Sequence, residues 1–434
     1  MLNRTSAPFT LMAWGAIEMA HGEGATRFAS ALEHCSRVRE LPMLGTAFST
    51  PLWIGGAAFA PRRANATVAT EAWVQWPDAR FWIPRVMLIT DAAGTRAVVS
   101  TWIRPADTKD SVLAAQQKML NTELTAVLTR TIQIGQNQVA SAAGRNAWNT
   151  LETEESWAAR VDAASEAVRR GEIDKVVTAR AVRLRVPRGT RIDIARTVAS
   201  LAERHPASTC FAIGNDDGSV FVGATPETLL TVRDGWIETH ALAGTAPRGA
   251  SEHEDEMLAV ALIASAKNRE EHDVVAHALR KELAGHCSVI EAAAPEPHLV
   301  KLARVQHLET TMRGKLANPV HILALASTLH PTPAVGGFPA AAAMHYLEAH
   351  EPLDRGWYAG PVGFVDAAGE GTLVVGIRSM VLRPDAAWAF AGGGIVAASN
   401  GRDEWRETEL KLAGITETVV ESYESINEGA MAAL

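Results

Sequence analysis

The sequence predicts an α+β protein built of layered antiparallel sheets with helices packed outside them. Two observations carry that prediction. Aromatic and β-branched segments arrive in runs, punctuated by Gly, Pro and Asp. Long helical segments fall between the runs, without the strand-helix alternation that a parallel doubly wound sheet requires.

The elements follow in order. The start, MLNRTSAPFTLMAWGAIEMAHGEG, has a short apolar patch and no small-residue cleavage site, so it reads as a buried strand rather than a signal peptide. FWIPRVMLITD and TRAVVSTWIRP continue a region of short strands and turns up to about residue 107. Residues 108–135 read as a helix, with Leu113, Leu120, Leu124 and Val127 forming an apolar stripe. The polar segment GQNQVASAAGRN then divides a β-rich part, 1–145, from a motif-dense part, 146–434, the two expected to integrate into one domain. From Glu155 a helix leads into the strand KVVTARAVRLRV, followed by strands around TCFAIGN, SVFVGATPETLLTVR and WIETHALAGTAP. Ser251 is placed to cap a helix through EHEDEMLAVALIASAKNREEHDVVAHALRKEL, with breaks inside it. After the helix AAAAMHYLEAHE, the segments GWYAGPVGFVD, TLVVGIRSMVL and AWAFAGGGIVA read as adjacent strands of one sheet.

Composition narrows the function classes. The chain has 434 residues, 47% of them hydrophobic and 21% charged, as in an ordinary soluble globular protein. A net charge of −8, with no block of Lys or Arg, leaves no electrostatic footprint for nucleic acid. Cys35, Cys210 and Cys287 are too few and too scattered for a disulfide framework or a zinc ribbon, which points to a reducing, cytoplasmic setting. No apolar run reaches the length of a membrane span.

The chemistry concentrates late in the chain. In AGGGIVAASNGRDEWRETELK, Gly392, Gly393 and Gly394 leave bare backbone before an acidic helix. On that helix Glu404, Glu407 and Lys411 stand at i, i+3 and i+7 and share a face. Two readings stand: a solvated face with a Glu407–Lys411 ion pair, or a metal site beside an anion cradle. Glu271, in KNREEHDVV, lies on a charged helix face unless it turns toward Glu404 and Glu407. Three carboxylates from two helices would suit a hard cation such as Mg²⁺. Lys175 opens an apolar strand, either snorkelling or holding the desolvated amine that a lysine base requires. Glu227, in FVGATPETLL, is either a first-turn helix residue after Pro226 or a carboxyl kept protonated by apolar surroundings. Arg378 reads as mid-strand among apolar residues, where its charge calls for a carboxylate partner. Tyr358 offers a hydroxyl, and the turn Gly244-Thr245 offers backbone donors.

Taken in order, ten segments between about residues 155 and 420 resemble the chorismate-utilising enzymes, most closely the isochorismate synthases. They include GEIDKVVTARA, FVGATPETLL, ALAGTAPRG, SAKNREEHDVV, VQHLETTMRGKL, LHPTPAVGGFP and EWRETELKLAGI. One departure is AGGGIV, where the family often reads AGAGIV. The resemblance implies the chorismate-utilising enzyme fold and conversion of chorismate to isochorismate, feeding menaquinone or siderophore synthesis. Lys175 would activate water for attack at C2, and Glu227 would protonate the departing C4 hydroxyl. Glu271 and Glu404, with Glu407 direct or through water, would hold Mg²⁺. Arg378, Tyr358, Gly244, Thr245 and Gly392 to Gly394 would grip the pyruvyl arm. His307 would line the ring pocket, with a core histidine as the alternative, and Lys411 would neutralise the carboxylates. The resemblance implies a monomer without a glutaminase subunit. Salicylate synthase is the alternative activity, an aminodeoxychorismate synthase a less favoured one, and an inactive chorismate-binding paralogue a minor one.

Overall fold

The computed structural model describes residues 9–39, 52–136, 139–142, 147–291 and 296–423. Its strands form sheets of eleven, seven and three strands, and every strand pairing among the described residues is antiparallel. The large sheet runs Thr10–Gly22, Ala79–Asp91, Trp53–Ala57, Pro361–Val365, Gly371–Val375, Thr228–Arg233, Trp236–Pro247, Val305–Leu316 and Cys287–Ile290. Strands from the first hundred residues therefore share one sheet with strands from the last hundred. The second sheet runs Gly337–Phe338, Lys175–Arg185, Ala386–Ile395, Ser379–Leu382, Val220–Thr225 and Thr209–Gly214.

The chain crosses between these two sheets at two places that matter for chemistry. Pro226 and Glu227 join Val220–Thr225 of the second sheet to Thr228–Arg233 of the first. Gly376, Ile377 and Arg378 join Gly371–Val375 of the first to Ser379–Leu382 of the second. The expectation that the last three strand segments share one sheet is therefore corrected. Arg378 is not mid-strand: it has a left-handed backbone, φ 51°, at the crossing. A non-glycine residue holds that conformation only where its surroundings fix it.

Helix boundaries follow their caps. The long segment after Ser251 is two helices, Glu252–Ala264 and Ala266–His286. The Ser251 side chain accepts from Glu254 N and that of Ser265 from Asn268 N, so the break occurs where a second N-cap serine stands. Thr153 caps Glu154–Arg169, and Asn400 caps Gly401–Thr416, whose first turn carries Asp403 and Glu404. Residues Lys109–Gln136 form the expected helix, but Leu113 is exposed. The side chains of Leu124 and Val127, and part of the polar segment after them, lie outside the described residues. The first strand is an edge strand rather than a buried one, which leaves Met12 and Met19 about half exposed.

Beneath the sheet crossings sits an aromatic core. Trp73 stacks on Phe390 at 5.4 Å between ring centroids, and Phe390 stacks on Tyr358 at 5.3 Å. Trp76 meets Trp357 edge-on at 5.1 Å. The indole N–H groups of Trp73, Trp76 and Trp357 bond Asp354 O, Ser219 Oγ and Pro77 O, so burial leaves none of the three unsatisfied. Packing of this kind holds the Tyr358 ring in place.

Candidate active site

One pocket gathers residues from both sheets and both acidic helices. Its walls include Glu227, Gly244, Thr245, Glu271, His307, Tyr358, Arg378, Gly392, Gly394 and Lys411. Lys175, Gly393, Glu404 and Glu407 stand immediately behind that wall, tied to its members as follows. A larger cavity, about 670 Å³, lies between residues 59–65 and the Ala340–His350 helix, away from these groups.

Lys175 begins its strand fully buried, with Nζ 3.1 Å from Glu271 Oε1. The two groups stand at ion-pair distance without a directed hydrogen bond. The snorkelling alternative fails because no part of this side chain reaches solvent. Beside it, Arg355 donates to Val177 O (2.6 Å) and to both Glu351 oxygens, while Glu351 accepts from Ala179 N at 2.8 Å. This buried, fully bonded pair clamps the strand that carries Lys175.

Glu227 lies between two strands, not in a helix, and is 3% exposed. Burial pushes its carboxyl up to about 8, against the pull of Lys175, His240 and Arg378, with Glu309 pushing further up. It is thus held protonated at neutral pH, the state a general acid needs.

The glycines fall in a strand, as the segment AWAFAGGGIVA reads in the sequence. Gly392, Gly393 and Gly394 lie in the Ala386–Ile395 strand, opposite Ala179, Thr178 and Val177. Their function is close approach. A Cβ on Gly394 would stand 2.0 Å from Glu271 Oε1 and 2.9 Å from Lys175 Cε. On Gly393 it would stand 2.9 Å from Glu404 Oε2, and on Gly392 3.1 Å from the Tyr358 hydroxyl. The bare strand surface is filled by the chemistry of the site.

Gly244-Thr245 is a bulge inside the Trp236–Pro247 strand rather than a turn, with Gly244 at φ 76°. The Thr245 N–H is committed to Asn268 Oδ1 at 3.1 Å, so it is not a free donor. His307 Nε2 lies 2.9 Å from Arg378 Nη2, and its Nδ1 lies 3.1 Å from Thr245 Oγ1 and 3.3 Å from Gly244 O. A guanidinium only donates, so Nε2 accepts and the proton sits on Nδ1. His307 therefore orients Arg378 as well as lining the pocket.

Three carboxylates and three lysines complete the set. Lys411 donates to Glu407 Oε1 (2.5 Å) and Gly392 O (2.8 Å), and Lys267 donates to Glu404 Oε1 (2.7 Å). The Glu407–Lys411 pair exists as the bland reading expected, but on a face where both side chains are largely buried. Glu404 is 1% exposed, and burial, then the charges of Glu407 and Glu271, push its carboxyl up to about 7. Among the described residues no three acidic or histidine side chains converge at metal-ligand distance, each carboxylate having a lysine beside it. The donor chemistry nevertheless fits a hard divalent cation: three carboxylates supply hard oxygen donors, and burial, with the charges of Glu407 and Glu271 added, raises Glu404. Lys267 was missed in the sequence, although it stands four residues before Glu271 on the same helix face.

Residues 2–420 match the family described as chorismate binding enzyme. The chain belongs to that family. The match takes in the N-terminal third, where no motif is legible. The salicylate biosynthesis isochorismate synthase of Pseudomonas aeruginosa is 35% identical over 412 residues, covering 94% of this chain and 82% of that protein. Isochorismate synthase MenF of Bacillus subtilis is 31% identical over 363 residues, covering 83% and 73%. In fold, family membership agrees with the anthranilate synthase component I of Streptococcus pneumoniae, with a TM-score of 0.75 at 19% identity, covering 96% of this chain and 94% of that one. A fold shared with an anthranilate synthase component cannot choose the reaction, so that choice falls to the site.

Proposed function

We propose that this enzyme is an isochorismate synthase, converting chorismate to isochorismate by adding water at C2 and losing the C4 hydroxyl. The observation that carries the reading is the pairing of a fully buried lysine with a buried carboxyl held protonated to about 8, in one charged pocket. Water is a poor nucleophile and hydroxide a poor leaving group, so the reaction needs a base at one end and an acid at the other.

Lys175, as the neutral amine, takes a proton from water as oxygen bonds to C2. The ring double bonds shift, the C4–O bond breaks, and Glu227 gives its proton to the departing hydroxyl, which leaves as water. Atoms balance, with one water consumed and one released. Arg378, oriented by His307, meets the carboxylate of the enolpyruvyl arm, and Tyr358 and Lys411 flank it. Glycines at 392–394 and the Gly244-Thr245 bulge let the arm approach the backbone. Glu271 and Glu404, with Glu407 behind them, would hold Mg²⁺, which supplies Lewis-acid binding and charge neutralisation at the ring carboxylate. Lys175, Lys267 and Lys411 then bear on the carboxylates from the protein side.

Incubation of the purified protein with chorismate and Mg²⁺, with products resolved by chromatography, is expected to yield isochorismate alone. EDTA should abolish turnover and added Mg²⁺ restore it. Salicylate as the main product would favour the pyruvate-eliminating alternative, a requirement for ammonia would favour an amine-adding one, and chorismate bound but unchanged would favour an inactive paralogue.

A further inference from the structure

Lys267 takes no part in the proton transfers or the arm binding proposed above, yet its placement runs against its local surroundings. It is the second residue of the Ala266–His286 helix, where a positive charge opposes the helix dipole. That turn is nonetheless held firmly. Asn268 Nδ2 donates to the hydroxyl of the Ser265 cap at 2.9 Å, and Asn268 Oδ1 accepts from Thr245 N at 3.1 Å. A Cβ on Gly244 would stand 3.0 Å from Asn268 O, so the strand bulge lies close against the same turn.

What Lys267 meets is one oxygen of one carboxylate. Its Nζ donates to Glu404 Oε1 at 2.7 Å, the one hydrogen bond to that carboxylate among the described residues. The other oxygen, Oε2, is the atom that lies against bare strand, 2.9 Å from where a Cβ on Gly393 would stand. Lys175 and Lys411 likewise stand on Oε1 of Glu271 and of Glu407. Each of the three carboxylates thus has one oxygen taken by a lysine. That division bears on which cation fits. Ca²⁺ takes a larger shell and accepts both oxygens of one carboxylate, whereas Mg²⁺ demands near-octahedral geometry with shorter bonds.

We propose that Lys267 is a specificity-determining residue for the cation: by holding Glu404 Oε1 it confines Glu404 to one donor oxygen, which favours Mg²⁺ over Ca²⁺. The inference rests on the metal assignment made under the proposed function and needs no step of the reaction. Lys267 acts through the carboxylate, as a positioning residue. Without it the Glu404 carboxylate is free to present both oxygens to one ion, the arrangement that Ca²⁺ accepts. The lysine charge also repels every divalent cation alike. A ratio of two affinities cancels that repulsion and leaves the effect of the held oxygen, which a merely structural role would not move.

Manganese reads the site without turnover. Mn²⁺ bound to the metal-stripped protein, with no chorismate present, loses its sharp free-ion signal in electron paramagnetic resonance, and Mg²⁺ or Ca²⁺ displaces it in competition. In Lys267→Met both cations are expected to bind more tightly, and the ratio of Ca²⁺ affinity to Mg²⁺ affinity to rise by about tenfold or more. The Lys267 side chain is 31% exposed, so the variant is expected to fold. Lys267→Arg, which keeps a charged donor for Oε1, is expected to stay near the starting ratio. An unchanged ratio in folded Lys267→Met, or an equal rise in Lys267→Arg, would overturn the proposal. A protein that bound no Mn²⁺ would overturn it together with the metal assignment. Mn²⁺ binding with the expected ratios but without isochorismate formation would sink the proposed reaction alone, so the two failures are told apart.

Discussion

Replacing Lys175 by methionine is expected to lower turnover of chorismate by a factor of about 10²–10⁴, the range associated with losing a positioned proton-transfer group. Methionine fills much the same space, so the loss is not a cavity effect. Among the described residues, Lys175 stands at ion-pair distance from Glu271 and from no other charged group. Chorismate binding, which the reading assigns to Arg378, the bound cation and the pocket backbone, should survive and be measurable by calorimetry. A variant that kept the full rate would remove Lys175 from the reaction.

A second large effect separates the site from the fold. Gly394→Ala sets a Cβ 2.0 Å from Glu271 Oε1 and 2.9 Å from Lys175 Cε, on a strand paired to Val177. Both neighbours are ends of flexible side chains, so they swing aside while the backbone stays put. Stability should change by no more than about 1 kcal/mol, since alanine suits a strand at least as well as glycine. Catalysis should fall by about 10²-fold or more, because base and carboxylate are both displaced by about an ångström or more. Gly393→Ala is the control: its Cβ meets Glu404 Oε2 at 2.9 Å, a clash that a small shift relieves. That contrast agrees with the form AGAGIV that the family often shows, which has alanine at the middle position. Equal activity in the two variants would contradict the account, as would equal loss.

Much of this was legible in the residues. Strand runs separated by long helices predict the antiparallel layers, and Ser251 marks a helix start because its hydroxyl satisfies a backbone N–H, whereas the second start at Ser265 emerges only in the structure. The i, i+3, i+7 spacing puts Glu404, Glu407 and Lys411 on one buried face. The illegible parts depend on long-range topology. Nothing local says that VVGIRSM leaves one sheet and enters another, so Arg378 reads as mid-strand when it turns the crossing at φ 51°. Gly392 to Gly394 read as bare strand backbone beside an anion, because close approach by Glu271 and Glu404 is invisible without the fold. The His307–Arg378 contact joins residues 71 apart, and Glu309 meets His240 only through cross-strand register.

The central claim is that water enters at C2 as the C4 hydroxyl leaves, driven by Lys175 and Glu227. Turnover of chorismate in ¹⁸O-labelled water, followed by mass spectrometry of the product, tests it most directly. The expected result is isochorismate carrying one labelled oxygen, at the C2 hydroxyl, with label accumulating at C4 of chorismate as the reaction reverses. Isochorismate formed without label would mean that the hydroxyl migrates within the substrate, and the assignment of Lys175 as the base that activates water would be wrong.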